Sequence, residues 1–409
     1  MFYRKEKYNA SASLSSIALK RFLKNKLSLC SLIIIALFTL IAILGYLITP
    51  DQTPFSNEQY LELTTKKPGY SIQMLRIKKN EKEEKTNFFS KMLYGERSSY
   101  LSIPVYQYKF EKDYIEVEIY SGTEPNDGEV KKINLANVVF PLDNSRAVIQ
   151  KDSLLQFHDV YGKLHNESIA SLRNTIINEN FYTKHFWLGS DRYGRDVLSQ
   201  LIIGTRVSLS VGFISVIISL IIGILLGALA GFFKGWVDSL IVWFINVIWS
   251  IPTLLLVIAI TFALGKGFWQ VFIAVGLTMW VEVARVVRGQ ILSIREKEFV
   301  EAGRALGFRN GRIIFRHILP NVMSAVIVIS AANFASAILM EAGLSFLGIG
   351  VQPPMPSWGS MIKENYGYII LDAAYLAVLP GVAIMIVVLA FMIIGNGLRD
   401  ALDVKFTEK

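Results

Sequence analysis

The sequence predicts an all-α polytopic membrane protein of six spans, with an α+β domain inserted outside the bilayer between the first and second spans. Three observations predict it. Hydrophobic residues make up 52% of the 409 residues and mean hydropathy is +0.41, too apolar for an ordinary soluble domain. Six apolar runs, at 27–48, 207–233, 240–264, 268–287, 322–347 and 373–394, each reach the length a helix needs to cross the hydrocarbon core, roughly 20 residues at about 1.5 Å per residue. The Lys and Arg residues flanking these runs fall consistently on one side.

The N-terminal segment 1–26 carries Arg4, Lys5, Lys7, Lys20, Arg21, Lys24 and Lys26, which places it in the cytoplasm. The first run, 27–48, is too long for the apolar stretch of a cleavable signal peptide and ends in Tyr46-Leu47-Ile48-Thr49-Pro50, so it reads as a retained anchor. The connection between the fourth and fifth runs holds Arg285, Arg288, Arg295, Lys297, Arg304, Arg309, Arg312 and Arg316 and is cytoplasmic by the same rule. Lys234, in the short turn between the second and third runs, falls on that side too. So does the tail 397–409 with Arg399 and Lys405, as six spans require.

Residues 51–185 form the outer region, long enough for a domain of its own. It holds 18 Lys and Arg against 19 Asp and Glu, so the net charge of +9 comes from the rest of the chain and reflects topology, with no nucleic-acid patch. Cys30 is the only cysteine and lies in the first run, so no disulfide forms within the chain. His158, His165, His185 and His317 lack metal-ligand spacing, and no metal or other cofactor is expected. Ile115, Val117 and Ile119 alternate with Glu116 and Glu118, the period of a half-buried strand, and 130–140 can return as its hairpin partner. Segments 152–161 and 168–178 read as helices, and the charge run 78–85 as a solvated loop or helix face.

At 186–206, Gly189 and Gly194 permit tight backbone and Asp191 and Asp196 can cap or bridge. Val197, Leu198, Leu201 and Ile202 recur at helical spacing. The stretch predicts a short amphipathic helix at the outer interface.

The most informative stretch is polar: Glu301-Ala302-Gly303-Arg304-Ala305-Leu306-Gly307, then Ile318-Leu319-Pro320-Asn321, between two apolar runs. Residues 299–306 predict a short helix with Phe299, Ala302 and Leu306 toward one side. Gly307 ends it, and 309–318 starts a second helix that Pro320 closes. The resulting elbow, 299–321, leaves Glu301, Arg304, Arg309 and Arg312 available to a partner or to lipid phosphates.

Pro252, in the third run, and Pro380-Gly381, in the last, interrupt helical hydrogen bonding, and carbonyls freed at that depth must face protein or a watered cavity. With Asn246, Ser250, Thr253, Asn333 and Ser336 they are candidates for a translocation path, each with helix–helix glue as the competing role. Glu341 is a candidate gate or packing residue. Glu282 and Arg285, three residues apart, predict a mutual ion pair. The chain has no G-x-x-x-x-G-K-[ST] and no convergent nucleophile, base or metal cluster, so phosphate cradling and catalysis belong elsewhere.

The elbow resembles the coupling segment of the membrane subunits of bacterial ABC importers. Leu188-Gly189-Ser190-Asp191, Gly194 to Leu198, Gly204 to Leu209, and above all Glu341 to Pro354 with Pro356-Ser357-Trp358-Gly359 are similar to the C-type permeases of the oligopeptide, dipeptide and nickel importers. Residues 13–44 are similar to their N-terminal anchor. The resemblance covers 13–50 and about 187–404 and implies the type I importer fold, with its core at 207–396. It implies Glu301, Ala302, Gly303, Ala305, Leu306, Gly307, Ile318, Leu319 and Pro320 as the contact with a cytoplasmic ATPase. It also implies a second permease of similar fold, two ATPase subunits, an extracytoplasmic solute-binding protein and a peptide-class substrate. Two departures stand out: the outer loop is far longer than in that family, and Gly303 replaces the usual Ala. The competing reading is a membrane-anchored sensor or scaffold whose outer domain binds a ligand.

Overall fold

A computed structural model describes residues 14–83, 86–123, 125–265 and 267–402. The expectations placed on 1–13, on Glu84 and Lys85 of the charge run, and on the tail from 403 lie outside the described residues. The chain is mostly helical and divides into two compact units. One comprises 1–42, 204–364 and 378–409, and the other 43–203 and 365–377.

Helices α1 (Leu14–Lys24) and α2 (Lys26–Leu44) are separated at Asn25, whose Oδ1 accepts hydrogen bonds from the amides of Leu27 at 3.1 Å and Ser28 at 3.2 Å. That side chain caps the first apolar helix where the basic segment ends. A single 3₁₀ turn, Gly45–Leu47, finishes it.

The inserted unit is α+β. Its five-stranded antiparallel sheet has the order β4-β3-β2-β1-β8, built from β1 (Tyr70–Lys78), β2 (Tyr100–Glu111), β3 (Tyr114–Ile119), β4 (Val130–Asn134) and β8 (Phe181–Phe186). A second sheet joins β5 (Ile149–Lys151), β6 (Leu154–His158) and β7 (Leu164–Ser168). Helices α3 (Phe88–Tyr94), α4 (Leu135–Val139) and α5 (Ile169–Thr175) complete the unit. The alternation at 115–119 behaves as the period predicts: Ile115, Val117 and Ile119 are buried, and Glu116 stands opposite Lys132 in a 2.7 Å ion pair. Leu75, Ile77, Val105, Ile115, Val117, Leu135, Val138, Leu155, Phe157, Leu172 and Ile176 share one apolar core, so this unit needs no disulfide.

Two expectations for this unit are corrected. Residues 152–161 are not helical, because Leu155 and Phe157 face the core while Gln156 and His158 do not, the period of a strand. The returning strand stops at Asn134, whose Oδ1 accepts the Ala136 amide at 3.0 Å and starts α4. Residues 169–175 are helical as expected and continue in a π turn to Asn180. Asn180 is buried and donates to the carbonyls of Arg76 at 2.8 Å and Val138 at 3.0 Å.

The remaining chain is helical: α6 (Val197–Phe233), α7 (Gly235–Trp249), α8 (Thr253–Leu264), α9 (Phe268–Ile294), α10 (Glu298–Ala305), α11 (Asn310–Arg312), α12 (Leu319–Phe346), α13 (Trp358–Asn365) and α14 (Tyr375–Leu402). Five helical stretches are long and apolar enough to cross a membrane, and six if the bent pair α7 and α8 counts as one. The third run is therefore no straight span. It begins at Gly235 and breaks at Pro252 with a bend of 92°.

Residues 186–206 do not make a separate interfacial helix. Up to Asp196 they form a loop of buried polar contacts, and Val197 begins the same 37-residue helix that carries the second apolar run. Asp191 accepts the amides of Tyr193 at 2.8 Å and Arg195 at 2.9 Å and the Arg195 guanidinium at 2.6 Å. Asp196 caps α6 through the Ser199 amide at 2.8 Å, and the Ser199 hydroxyl accepts the Asp51 amide at 2.9 Å. Gly194 is obligatory here: its φ is +71°, and a Cβ would lie 1.8 Å from the Tyr60 carbonyl oxygen. Burial raises the carboxyls of both Asp51 and Asp196 above the ordinary aspartate range, against the hydrogen bonds each accepts.

Candidate functional site: the polar elbow

The elbow is built on α9. Arg295 caps that helix and donates to the Phe232 carbonyl, while Lys234 pairs with Glu296 at 2.7 Å. Arg288 reaches Asp238 through two hydrogen bonds, 2.6 and 2.7 Å long. These contacts fasten the start of α7 and the end of α6 to the end of α9. They join residues up to 63 apart in sequence, and no local period revealed them. One signal was available: Asp238 is a lone carboxylate at the entrance of an apolar run, which requires a partner. The expected Glu282–Arg285 ion pair is absent among the described residues. Arg285 lies instead over the Trp249 ring at 3.7 Å, a cation–π contact that the strongly aromatic α7 provides.

After Lys297 the chain folds into α10, whose charges suit its dipole. Glu298 and Glu301 lie in the first turn and Arg304 in the last. The helix ends in a Schellman motif: the Gly307 amide bonds the Arg304 carbonyl at 2.9 Å and the Phe308 amide bonds the Gly303 carbonyl at 3.0 Å, with Gly307 at φ +75°. Val300 and Gly303 form its buried side, and Val300 joins a core with Val287, Ile291, Ile294, Ile313, Ile314 and Ile318. The opposite side is open: Glu301, Ala302, Ala305 and Gly307 are exposed, and Phe299 and Leu306 are exposed to 43% and 72%. An apolar pair is thus held outward by a helix anchored from behind.

The second arm differs from expectation. After α11 the chain makes a π turn, Ile313–Ile318, and passes directly into α12, so Pro320 does not close a helix. It lies inside one helical run from Asn310 to Phe346, directly after the π turn. Ile318 is buried, Leu319 half-buried and Pro320 exposed. Arg312 stacks over Phe308 at 4.4 Å, and the Phe308 ring is stacked on His317 at 5.8 Å. Among the described residues neither Glu301 nor Arg309 forms an ion pair.

The path candidates separate into two sets. Asn246, Ser250, Pro252 and Thr253 surround the break between α7 and α8 and are exposed, together with Trp243, Trp249, Leu254 and Leu255. Asn333 and Glu341 are buried on α12, while Ser336 on the same helix is exposed. Neither polar atom of Asn333 has a hydrogen-bond partner among the described residues. Glu341 accepts from the Ser345 hydroxyl at 2.6 Å, and that hydroxyl also accepts the Val351 amide at 3.2 Å. The Glu341 to Gly359 segment folds back on α12. A Cβ at Gly359 would lie 2.6 Å from the Ala342 Cα, and Trp358, fully buried, donates its amide to Ser208 at 3.4 Å.

Residues 223–408 match the family model of the binding-protein-dependent transport system inner membrane component. Residues 13–68 match that of the N-terminal TM domain of oligopeptide transport permease C. The chain is 41% identical over 229 residues to the glutathione transport system permease protein GsiD of Pectobacterium atrosepticum, covering 56% of this chain and 75% of that one. It is 44% identical over 219 residues to the dipeptide transport system permease protein DppC of Alkalihalophilus pseudofirmus, covering 54% and 72%. Among solved structures, a chain of the inward-facing MetNI methionine ABC transporter is 20% identical, covers 50% of this chain and 96% of its own, and has a TM-score of 0.43.

Proposed function

We propose that this chain, which belongs to the family of binding-protein-dependent transport system inner membrane components, couples solute passage to a separate ATPase through the elbow at 299–321. Membership makes it a multi-pass membrane permease of an ATP-driven importer, with hydrolysis on another subunit and a binding protein and second permease as partners. The observation that carries the coupling assignment is the outward pair Phe299 and Leu306 on a helix whose other side, through Val300, is part of the α9–α12 core. A groove on the ATPase that grips this pair moves α9 and α12 with it, because Val300 cannot shift without repacking Ile291, Ile313 and Ile318.

Topology and path are further parts of this proposal. With α7 and α8 as one broken span the chain crosses six times, and the Lys and Arg flanking the spans support a cytoplasmic elbow and termini with the inserted unit outside. The exposed aromatic surface around the α7–α8 break faces the second permease, with Asn246, Ser250, Pro252, Thr253 and Ser336 toward the shared path and Asn333 and Glu341 as packing or gate groups. Two elbows in the assembly engage two ATPase subunits, and short peptides are the substrate class, as the names of the relatives suggest. The test is Leu306→Asp, with Glu301→Arg beside it, in the reconstituted complex. Losing an interface anchor costs at least about 2 kcal/mol, so substrate-stimulated ATPase and uptake should both fall by more than about tenfold while the chain stays in the membrane. Retention of both activities would sink the assignment.

A further inference from the structure

The inserted unit carries an exposed apolar surface that its own core does not use. Helix α3 has the sequence Phe88-Phe89-Ser90-Lys91-Met92-Leu93-Tyr94 and no buried residue. Phe88, Phe89, Leu93 and Tyr94 are exposed to 62%, 71%, 50% and 71%. Four large apolar side chains on two turns would be an aggregation liability in water. Its one basic residue, Lys91, is neutralised by Glu96 at 2.7 Å, so the patch offers no charge to steer a charged partner.

Its position identifies what covers it. Helix α3 packs against Gly45–Leu47, the turn that ends the first apolar helix, and both lie in the same compact unit. The register is held by backbone. The Glu96 amide donates to the Gln52 carbonyl at 2.9 Å, and at Gly95, φ +77°, a Cβ would lie 2.7 Å from that same oxygen. The segment 26–47 is long and apolar enough to span the bilayer, so a helix clamped to its last turn lies at the level where hydrocarbon gives way to headgroups. Aromatic side chains concentrate at that level because their rings prefer the boundary.

We propose that α3 is a lipid-seated anchor: Phe88, Phe89, Leu93 and Tyr94 enter the acyl–headgroup boundary beside the first span and hold the inserted unit to the membrane surface. The occupant is the bilayer, since α3 packs on the turn that ends the first apolar helix, and Ile43 and Ile48 on either side of that turn are likewise exposed.

The test uses the full chain in its complex, reconstituted in phosphatidylcholine–phosphatidylglycerol liposomes, with Cys30→Ser and a single nitroxide label at position 89, then separately at 93 and 94. Ser153, on the exposed turn between β5 and β6, is the aqueous control. The expected result is collision with oxygen several-fold above that with a water-soluble nickel chelate at 89 and 93, and the reverse at 153. Equal nickel access at 89, 93 and 153 would overturn the proposal in favour of a solvated helix. Access by neither reagent would overturn it in favour of a protein partner.

Discussion

The elbow at 298–318 and the loop at 187–199 look alike in sequence: each mixes glycines with opposite charges just before a long apolar helix. The structure treats them in opposite ways. In the loop, Asp191, Arg195 and Asp196 are all buried and bonded within the chain. In the elbow, Glu301, Arg304 and Arg309 are exposed, and Leu306 points outward with them. The difference teaches that charge plus glycine before a span has no fixed meaning. Where the chain supplies the hydrogen-bond partners, the segment becomes an internal fastening. Where it supplies only an apolar backing, the polar side is left for another molecule.

The contrast is tested most severely at Arg195. Replacing it with Ala leaves Asp191 buried and short of its charged partner, which costs about 3–5 kcal/mol. The inserted unit should melt well below wild type and become protease-sensitive in detergent, whereas an unchanged melting curve would mean the loop is no fastening. Leu306→Asp, the coupling test, should leave that curve within about 0.5 kcal/mol of wild type, as surface changes do. A melting loss as large as at Arg195 would erase the distinction between the two regions.

A smaller effect is expected at Gly303. Unlike Gly194, it has room: an added Cβ would sit 3.5 Å from Phe308 and 3.9 Å from Ile313, ordinary contact distances. Gly303→Ala should therefore stabilise α10 by up to about 1 kcal/mol with coupling intact, read from the melting curve and stimulated ATPase together. Lost coupling would show that the elbow needs a soft helix. The departure from Ala at this position has no steric cause in the structure.

The smallest effect is in pH. Burial raises the Asp196 carboxyl above 3.8, so the folded chain holds this proton more readily than the unfolded chain. Its contribution to stability is present below 3.8 and declines as pH rises through the folded value, then stays level. Asn at this position removes the titration. The wild-type melting temperature should gain on that of Asp196→Asn as pH drops from 7 toward 4, and a constant gap would refute the burial effect.

Much of the fold was legible because it rests on local periods. The apolar runs, the alternation at 115–119 and the glycine stop at 307 all arise from residues within a few positions of one another. The segment 152–161 has no long period to read: only Leu155 and Phe157 mark the strand, and two residues fit a helix as readily. The pattern around Pro320 misleads because proline ordinarily closes a helix, whereas here a π turn precedes it and the helix runs on. The Arg285 contact with Trp249 has no local signal, since the two lie dozens of residues apart, and for the Arg288 pair the sequence marks only that Asp238 needs a partner, not which one.

What the sequence determined by itself is the solvent and the allegiance of each segment. Apolar length marks which runs can enter lipid, and the motifs at 301–320 and 341–359 identify the family. Which side of α10 is backed by core and which is left open was decided only by tertiary packing. So was the burial of Asp191 and Arg195. The physical reason is common to both: a side chain's exposure is set by which distant segments come to lie against it, and no property of its neighbours in sequence carries that information.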